Sequence, residues 1–247
     1  MTALARVAAL AAACSLLWVI EGRRPFMAFG EHRARHARPN LLLAGLTVLT
    51  NLAFAAALPP SQWHLNLDWP VWLQGLAAVA ILDLFAWAAH VLLHKTSWGW
   101  RTHRVHHSDV AVDVTTAFRQ HPGETIWRLA WRLVPIWAFG IPLPFVAVHE
   151  TLSAANALLE HANVGLPENL DRLLRSVFVT PNMHKWHHSR EAQETDTNYG
   201  NIFSIWDRML GTMTTRAEFS RLRFGLDGFD DAASQSLGGL LRMPSVR

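Results

Sequence analysis

The chain is expected to be all-α, a polytopic membrane helical bundle carrying a histidine-rich helical cap on the cytoplasmic side. Three observations predict it. Of 247 residues, 51% are hydrophobic and 17% charged, with twelve Trp against one Tyr, too apolar a composition for an ordinary soluble domain. Apolar tracts recur along the chain, and Lys and Arg are distributed unevenly between the connections. Histidines cluster at the end of the third tract, His90-Val91-Leu92-Leu93-His94, and in polar stretches beyond it, His103-Arg104-Val105-His106-His107 and His184-Lys185-Trp186-His187-His188.

The first tract, residues 7–20, is marginal for a membrane crossing. Ala11-Ala12-Ala13-Cys14 is a near miss to a lipoprotein cleavage box, but apolar residues continue past it to Ile20, so we read a retained span. With one cysteine, the sequence offers no disulfide framework, cysteine zinc site or iron–sulfur cluster. The connection that follows carries Arg23, Arg24, Arg33, Arg35 and Arg38, which places it in the cytoplasm. The second tract, 41–58, and the third, 69–93, are long enough to cross the hydrocarbon core. Pro59 to Asp68 has no Lys or Arg and is expected outside.

The third tract then delivers His90 and His94 to the cytoplasmic boundary. Residues 94–132 form the first half of the cap, in which Trp127 and Trp131 suggest a helix lying at headgroup level. The fourth tract, 133–159, is broken by Pro135, Pro142 and Pro144 around Gly140, and is expected as a re-entrant hairpin or two short tilted helices. Residues 160–215 complete the cap, and 216–247 are a tail expected to hug the membrane surface or to be disordered. The whole is read as one membrane-embedded catalytic unit, 1–247. The formal charge of +3 requires no nucleic acid, because positive-inside loops and anionic headgroups account for it.

Positions i, i+3 and i+4 share a helix face, so each HxxHH aims three imidazoles at one point and HxxxH aims two. Imidazole binds Zn, Cu, Fe and Ni alike, so histidine does not name the metal. Number does more. His90, His94, His103, His106, His107, His184, His187 and His188 exceed what one tetrahedral ion uses, and so imply two ions close together. No HExxH is present and no carboxylate lies within the clusters, which favours non-haem di-iron over a binuclear zinc enzyme. A metal transporter, the other alternative, would carry its histidines in mid-membrane along a polar path. Asp83, seven residues before His90 on the same helical face, is expected to accept the second ring N–H of a ligand imidazole. Asp109, Asp113 and Glu160 are weaker candidates for such a role. His32, His36 and His64 are expected at the surface.

Across about Asp83 to Thr215 the sequence resembles the fatty acid hydroxylase and sterol desaturase superfamily of integral membrane di-iron oxygenases. The resemblance is carried by Asp83 through His94, Trp100-Arg101-Thr102-His103 leading into His106-His107-Ser108, and Arg119-Gln120-His121-Pro122-Gly123-Glu124. It continues through Glu160-His161-Ala162-Asn163-Val164-Gly165, Thr180-Pro181-Asn182-Met183-His184, Thr197-Asn198-Tyr199-Gly200-Asn201, Trp206-Asp207 and Gly211-Thr212. It implies that the eight clustered histidines and His161 ligate metal, with no catalytic residue apart from that centre. His121, Asn163 and Tyr199 are candidates for places beside the ligands or along the substrate path; His121, before Pro122, fits a helix cap equally well. One departure is Ala157, where some members carry a further histidine. His149 is a poor substitute, because twelve helical residues rotate it about 120° from His161.

The resemblance further implies two Fe ions, which zinc can replace in purified protein, with dioxygen as co-substrate and a lipid (fatty acyl, sterol-like or related isoprenoid) that is hydroxylated or desaturated at an unactivated C–H bond. Electrons would come from a separate reductase and electron carrier, docked on the basic face around Lys95, Arg101 and Lys185. The expected location is the cell inner membrane.

Overall fold

In the computed structural model, residues 2–28, 33–57, 68–216 and 218–246 are described, with backbone only for 54–57. The described chain is helical, apart from one isolated bridge between Phe178 and Phe203. It is an all-α membrane protein. Helix α1 spans Ala3–Arg23 and opens on Thr2, whose hydroxyl accepts from the Ala5 amide at 3.2 Å. At 21 residues it is longer than the apolar tract alone suggested, about 31 Å of rise. Helix α2, Arg33–Ala57, begins well before its apolar stretch and runs through Pro39, which forfeits one helical bond. Helix α3 is Val71–Lys95. Among the described residues, α1 and α3 are long and apolar enough to cross a bilayer. The connection 59–67, expected outside the cell, lies beyond the described residues, as do His32 and His64.

The α3 end turns at once into α4, Ser97–His107, through a single residue. The Thr96 amide closes α3 on the Leu92 carbonyl while its hydroxyl accepts from Gly99, so one threonine ends one helix and starts the next. Asp113 then caps a 3₁₀ turn, Val114–Phe118, through a reciprocal bond with Thr116.

Helix α5 spans Pro122–Ala138 and α6 spans Leu143–His161. The break in the fourth tract is the short turn between them, where Gly140 has φ +56°. Pro142 caps α6 and Pro144 lies in its first turn, where no amide partner is lost. One expectation is corrected here. The segment expected at headgroup level and the first half of the broken tract are one helix, so the boundary drawn at residue 132 falls inside α5. Trp127 and Trp131 are half-buried: the Trp127 indole donates to the Ala89 carbonyl at 3.2 Å, and Trp131 lines a cavity.

Five short helices complete the cap: α7 Glu168–Leu174, α8 Pro181–His187, α9 Ala192–Thr195, α10 Ile205–Leu210 and α11 Leu237–Arg242. The tail is ordered and packs against the cap. Leu222 and Phe224 pack with Val112 and Trp186, while Leu240 and Met243 pack with Leu43 and Val105. Each such side chain contributes about 1.5 to 3 kcal/mol where water is the alternative.

Ala78, Leu82, Ile136, Ile141 and Val146 join α3, α5 and α6 in an apolar core at membrane level. Outside it lies an apolar jacket, with Leu4 79% exposed on α1, Leu52 63% on α2 and Val71 71% on α3. Such a surface is unfavourable in water and favourable in hydrocarbon.

The α3–α4 corner fixes His90 and His94 against His103 and His107. A Cβ on Gly99 would lie 2.7 Å from Leu93 Cα and 2.9 Å from the Leu92 carbonyl, both backbone atoms that cannot give way. Gly99→Ala should therefore cost on the order of 1 to 3 kcal/mol by overpacking and lower the thermal midpoint in detergent. A wild-type midpoint would contradict this account of the corner.

Candidate metal centre

Helices α3, α4, α6 and α8 bring nine histidines together, all of them buried. They form two abutting sets: His90, His94, His103, His107 and His187, and then His106, His161, His184 and His188, with the nitrogens of each set within 4.8 Å of one another. These are the nine residues named from the sequence. Each HxxHH divides between the sets, as the helical spacing allows: α4 gives His103 and His107 to one and His106 to the other. The His107 and His188 rings stack at 4.7 Å between centroids and join the two.

The inward atoms are Nε2. His103 Nε2 lies 2.9 Å from that of His90 and 3.2 Å from that of His107. In the second set, His161 Nε2 lies 3.0 Å from both His106 and His184 Nε2, and His188 Nε2 lies 3.2 Å from His184 Nε2. Burial first, then mutual repulsion, holds the cap imidazoles His106, His107, His184, His187 and His188 well below the ordinary histidine range, so they are neutral. Neutral imidazole has one ring proton to place, and where the outer nitrogen keeps it, facing Nε2 atoms are lone pair against lone pair. A cation at the focus removes that conflict. Nitrogens about 2.1 Å from a shared ion lie about 3.0 to 3.4 Å apart for angles between a right angle and the tetrahedral value, close to these spacings. The donor sets fit metal ions.

The outer nitrogens show how six of the nine rings are aimed, while Nδ1 of His107, His184 and His188 has no hydrogen-bond partner. His90 Nδ1 meets the Tyr199 carbonyl at 2.9 Å, His161 Nδ1 that of Ala157 at 2.7 Å, His187 Nδ1 that of Thr197 at 2.7 Å and His106 Nδ1 that of Arg119 at 3.3 Å. Two rings face carboxylates. His103 Nδ1 is 3.0 Å from Glu124, which also accepts from Arg128, and His94 Nδ1 is 3.2 Å from Asp196, which Lys95 meets at 2.7 Å. Burial alone would raise the Glu124 carboxyl, but His103 and Arg128 outweigh it and hold the group at about 2. The bond from His94, aided by Lys95, holds Asp196 at about 2.

Asp83 does not orient an imidazole as expected. Its oxygens accept from the Asn201 side chain, the Ile202 and Phe203 amides and the Trp206 indole, at 2.9 to 3.0 Å. Asp207 mirrors it by accepting from the Trp87 indole and from the Tyr199 and Gly200 amides, at 2.7 to 3.0 Å. Together they bind the 199–207 segment to α3, and that segment presents the carbonyl that aims His90. Asp83 therefore acts on the centre through backbone.

The other candidates lie elsewhere. Asn163 pairs through its side chain with both backbone groups of Met27, at 2.7 and 2.9 Å, and faces no cluster imidazole. His121 caps α5 by accepting from Gly123, the alternative its position before proline allowed. Tyr199 does lie over the first set, its ring 5.0 Å from that of His94. Asp109 and Asp113 face His36, which is largely buried on α2 rather than at the surface. Glu160 stands 3.8 Å from His184 Nε2, at the edge of the second set.

Lys185 is not on a docking face. It is fully buried and donates to the Ala162, Val164 and Pro181 carbonyls, stapling the turn after His161 to α8; burial lowers its ammonium to about 7. Glu21, unremarked in the sequence, is buried at the end of α1 and accepts from the Val114 and Asn163 amides and from Arg33. The roles of Glu124 and Asp196 were also missed. Glu124 sits in the first turn of α5, a position that itself explains a carboxylate, so it carried no separate signal.

Beside the centre, between α2, α3, α5 and α6, is a cavity of about 360 Å³. Leu82, Phe85, Ala86 and Leu129 give it apolar walls. It reaches Ala89, next to His90, Gln120, next to Arg119, and Ala157, whose carbonyl aims His161. One layer of residues thus separates the cavity from the imidazoles.

A family model for fatty acid hydroxylases matches residues 75–212, more than half of the chain. The ornithine lipid hydroxylase of Rhizobium tropici is 32% identical over 175 residues, 70% of this chain and 52% of that protein. The alkylglycerol monooxygenase of Caenorhabditis elegans is 29% identical over 61% of this chain and 29% of its own length. The cholesterol 25-hydroxylase of Rattus norvegicus is 26% identical over 77% and 66% respectively. The chain thus spans from under a third to about two thirds of these relatives. No solved structure is a significant match.

Glu124→Gln should lower metal affinity by about 10- to 100-fold, read by competition with a chromophoric chelator, while leaving the thermal midpoint of the metal-free protein near wild type. Asp83→Asn should instead lower the midpoint of the metal-free protein, costing on the order of 3 kcal/mol of stability because an amide group replaces a carboxylate that accepts from every side, and should affect metal affinity only through that loosening of the 199–207 segment. The same response from both variants would contradict the separation of roles.

Proposed function

The chain belongs to the fatty acid hydroxylase family, and from that premise we propose that it is a membrane-bound, dioxygen-dependent oxidoreductase acting on a lipid, with two iron ions held by His90, His94, His103, His107 and His187 and by His106, His161, His184 and His188. The observation that carries this reading is the pair of all-imidazole sets abutting one another and bordering an apolar-walled cavity between membrane helices. Relatives whose names specify an ornithine lipid, an alkylglycerol and cholesterol support a lipid as substrate.

Iron held by these two sets would supply, with dioxygen and external electrons, the chemistry that oxidises an unactivated C–H bond. The chain does the rest. Glu124 and Asp196 and the carbonyls of residues 106's partner Arg119, Ala157, Thr197 and Tyr199 keep the outer ring protons in place, so that Nε2 remains a lone-pair donor. Leu82, Phe85 and Leu129 keep water from the cavity and lay the lipid chain alongside the Ala89 and Ala157 turns. Electrons come from a separate reductase and carrier at the face around Lys95 and Arg101, which are exposed where Lys185 is not.

Two outcomes test the activity. Under isotopically heavy dioxygen, a host expressing the chain should accumulate a lipid that gains labelled hydroxyl, or a double bond without label. His90→Ala and His161→Ala, one from each set, should both abolish the product. A lipid profile unchanged by expression, or product formed by both variants, would overturn the reading.

We also propose that the histidine cap faces the cytoplasm and that the membrane is the inner membrane. Arg33, from the arginine-rich connection, meets Glu21 and Asp113 at the cap end of the bundle, so the basic side and the histidine side coincide. In a Cys14→Ser background, a cysteine replacing exposed Gln193 should resist a membrane-impermeant thiol reagent in intact cells and react after permeabilisation. Labelling in intact cells would reverse the orientation.

A further inference from the structure

His149 is a buried imidazole left over from the metal centre. It belongs to neither histidine set, lies on α6 with its side chain 5% exposed, and lines the cavity. Neither of its ring nitrogens has a hydrogen-bond partner. Asp83 stands 3.9 Å from Nε2, beyond bonding distance, and its oxygens are already taken by the 201–206 segment. An imidazole brings two polar ring nitrogens into the interior, and burying both unpaired is costly. Packing alone would be served better by Leu or Phe.

The opposite wall carries a second atom of the same kind. Thr47 on α2 lines this cavity, and its hydroxyl is buried without a partner. The Arg132–Glu150 ion pair, 2.8 Å apart, borders the cavity as well. The depth is set by α3: Asp83, beside His149, lies seven residues and about 10 Å of helix from His90. A hydrocarbon chain would satisfy none of these groups.

Resting on the lipid-substrate reading above, we propose that His149 is a specificity-determining residue that hydrogen-bonds an oxygen-bearing group of the lipid inside the cavity, with Thr47 as its partner across the slot. The substrate is then an amphiphile whose hydroxyl, ether or ester oxygen enters the protein, and this bond sets which stretch of chain reaches the histidine end.

Binding tests this without turnover. Purified full-length protein in nanodiscs would be titrated with hexadecanol, hexadecyl methyl ether and hexadecane, reading the emission of the cavity-lining Trp131 region. Wild type should prefer at least one oxygen-bearing probe to the alkane. Preference for the ether as well as the alcohol identifies an accepting oxygen on the ligand, and preference for the alcohol alone identifies a donating hydroxyl. His149→Leu should lose about tenfold of that preference while binding hexadecane as wild type does, and His149→Gln should recover part of it. A Leu variant with the wild-type preference, or one that binds all three probes equally more weakly, would overturn the assignment. Wild type that binds none of the probes would contradict the lipid cavity itself, and the assignment with it.

Discussion

Nine buried imidazoles in two abutting sets, seven of them with Nε2 atoms 2.9 to 3.2 Å from a neighbour's, are the constraint on which the rest of this structure depends. Lone pairs aimed at one another are unfavourable in a medium without water to reorient. The fold accepts that cost at two adjacent points, and almost every buried polar contact in the cap serves to maintain it. Glu124 and Asp196 act directly on two rings; for four others a backbone carbonyl serves as the outer acceptor. Main-chain acceptors are only as well placed as the loops that carry them, which is why those loops are so firmly tied.

The ties come from far apart in the chain. Asp83 and Asp207 fasten the 199–207 segment to α3 and thereby set the carbonyl facing His90. Glu21 reaches from α1 to the amides of Val114 and Asn163, and Lys185 gathers three carbonyls around the turn that follows His161. Arg119, fully buried, links the Val105 carbonyl, Asn40, Ser108 and Gln235 across α2, α4 and the tail. The tail, expected from the sequence to lie along the membrane or to be disordered, is thereby tied to the cap. The charged groups here act as fasteners between segments, while the membrane helices supply the cavity.

The histidine clustering was legible because its signal is local. Spacings of three and four residues put imidazoles on one helix face whatever the tertiary structure, and a helix needs no knowledge of its neighbours to do so. His161 stands alone in sequence and became visible through the resemblance of its surroundings. The partners were not legible, because a carboxylate such as Asp83 has no periodicity to say whether it will meet a ring or a backbone amide. Only tertiary placement decides it, and here the amides of Ile202 and Phe203 won. Lys185 misled for a similar reason: a lysine between two ligand histidines looks like surface charge until three carbonyls are found around it. Among the helices, α3 was read closely from hydropathy, whereas α5 extends past its apolar stretch because the His121 cap, and not hydropathy, sets where it begins, and α2 starts at Arg33, well before its own.

Metal stoichiometry together with X-ray absorption at the iron edge tests the central claim most directly. Protein reconstituted with ferrous iron under anaerobic conditions should hold two ions per chain, with a first shell dominated by nitrogen at about 2.1 Å, an imidazole outer-shell signature and no sulfur. One ion per chain, or a first shell made mainly of carboxylate oxygen, would contradict the two-set account of the nine histidines.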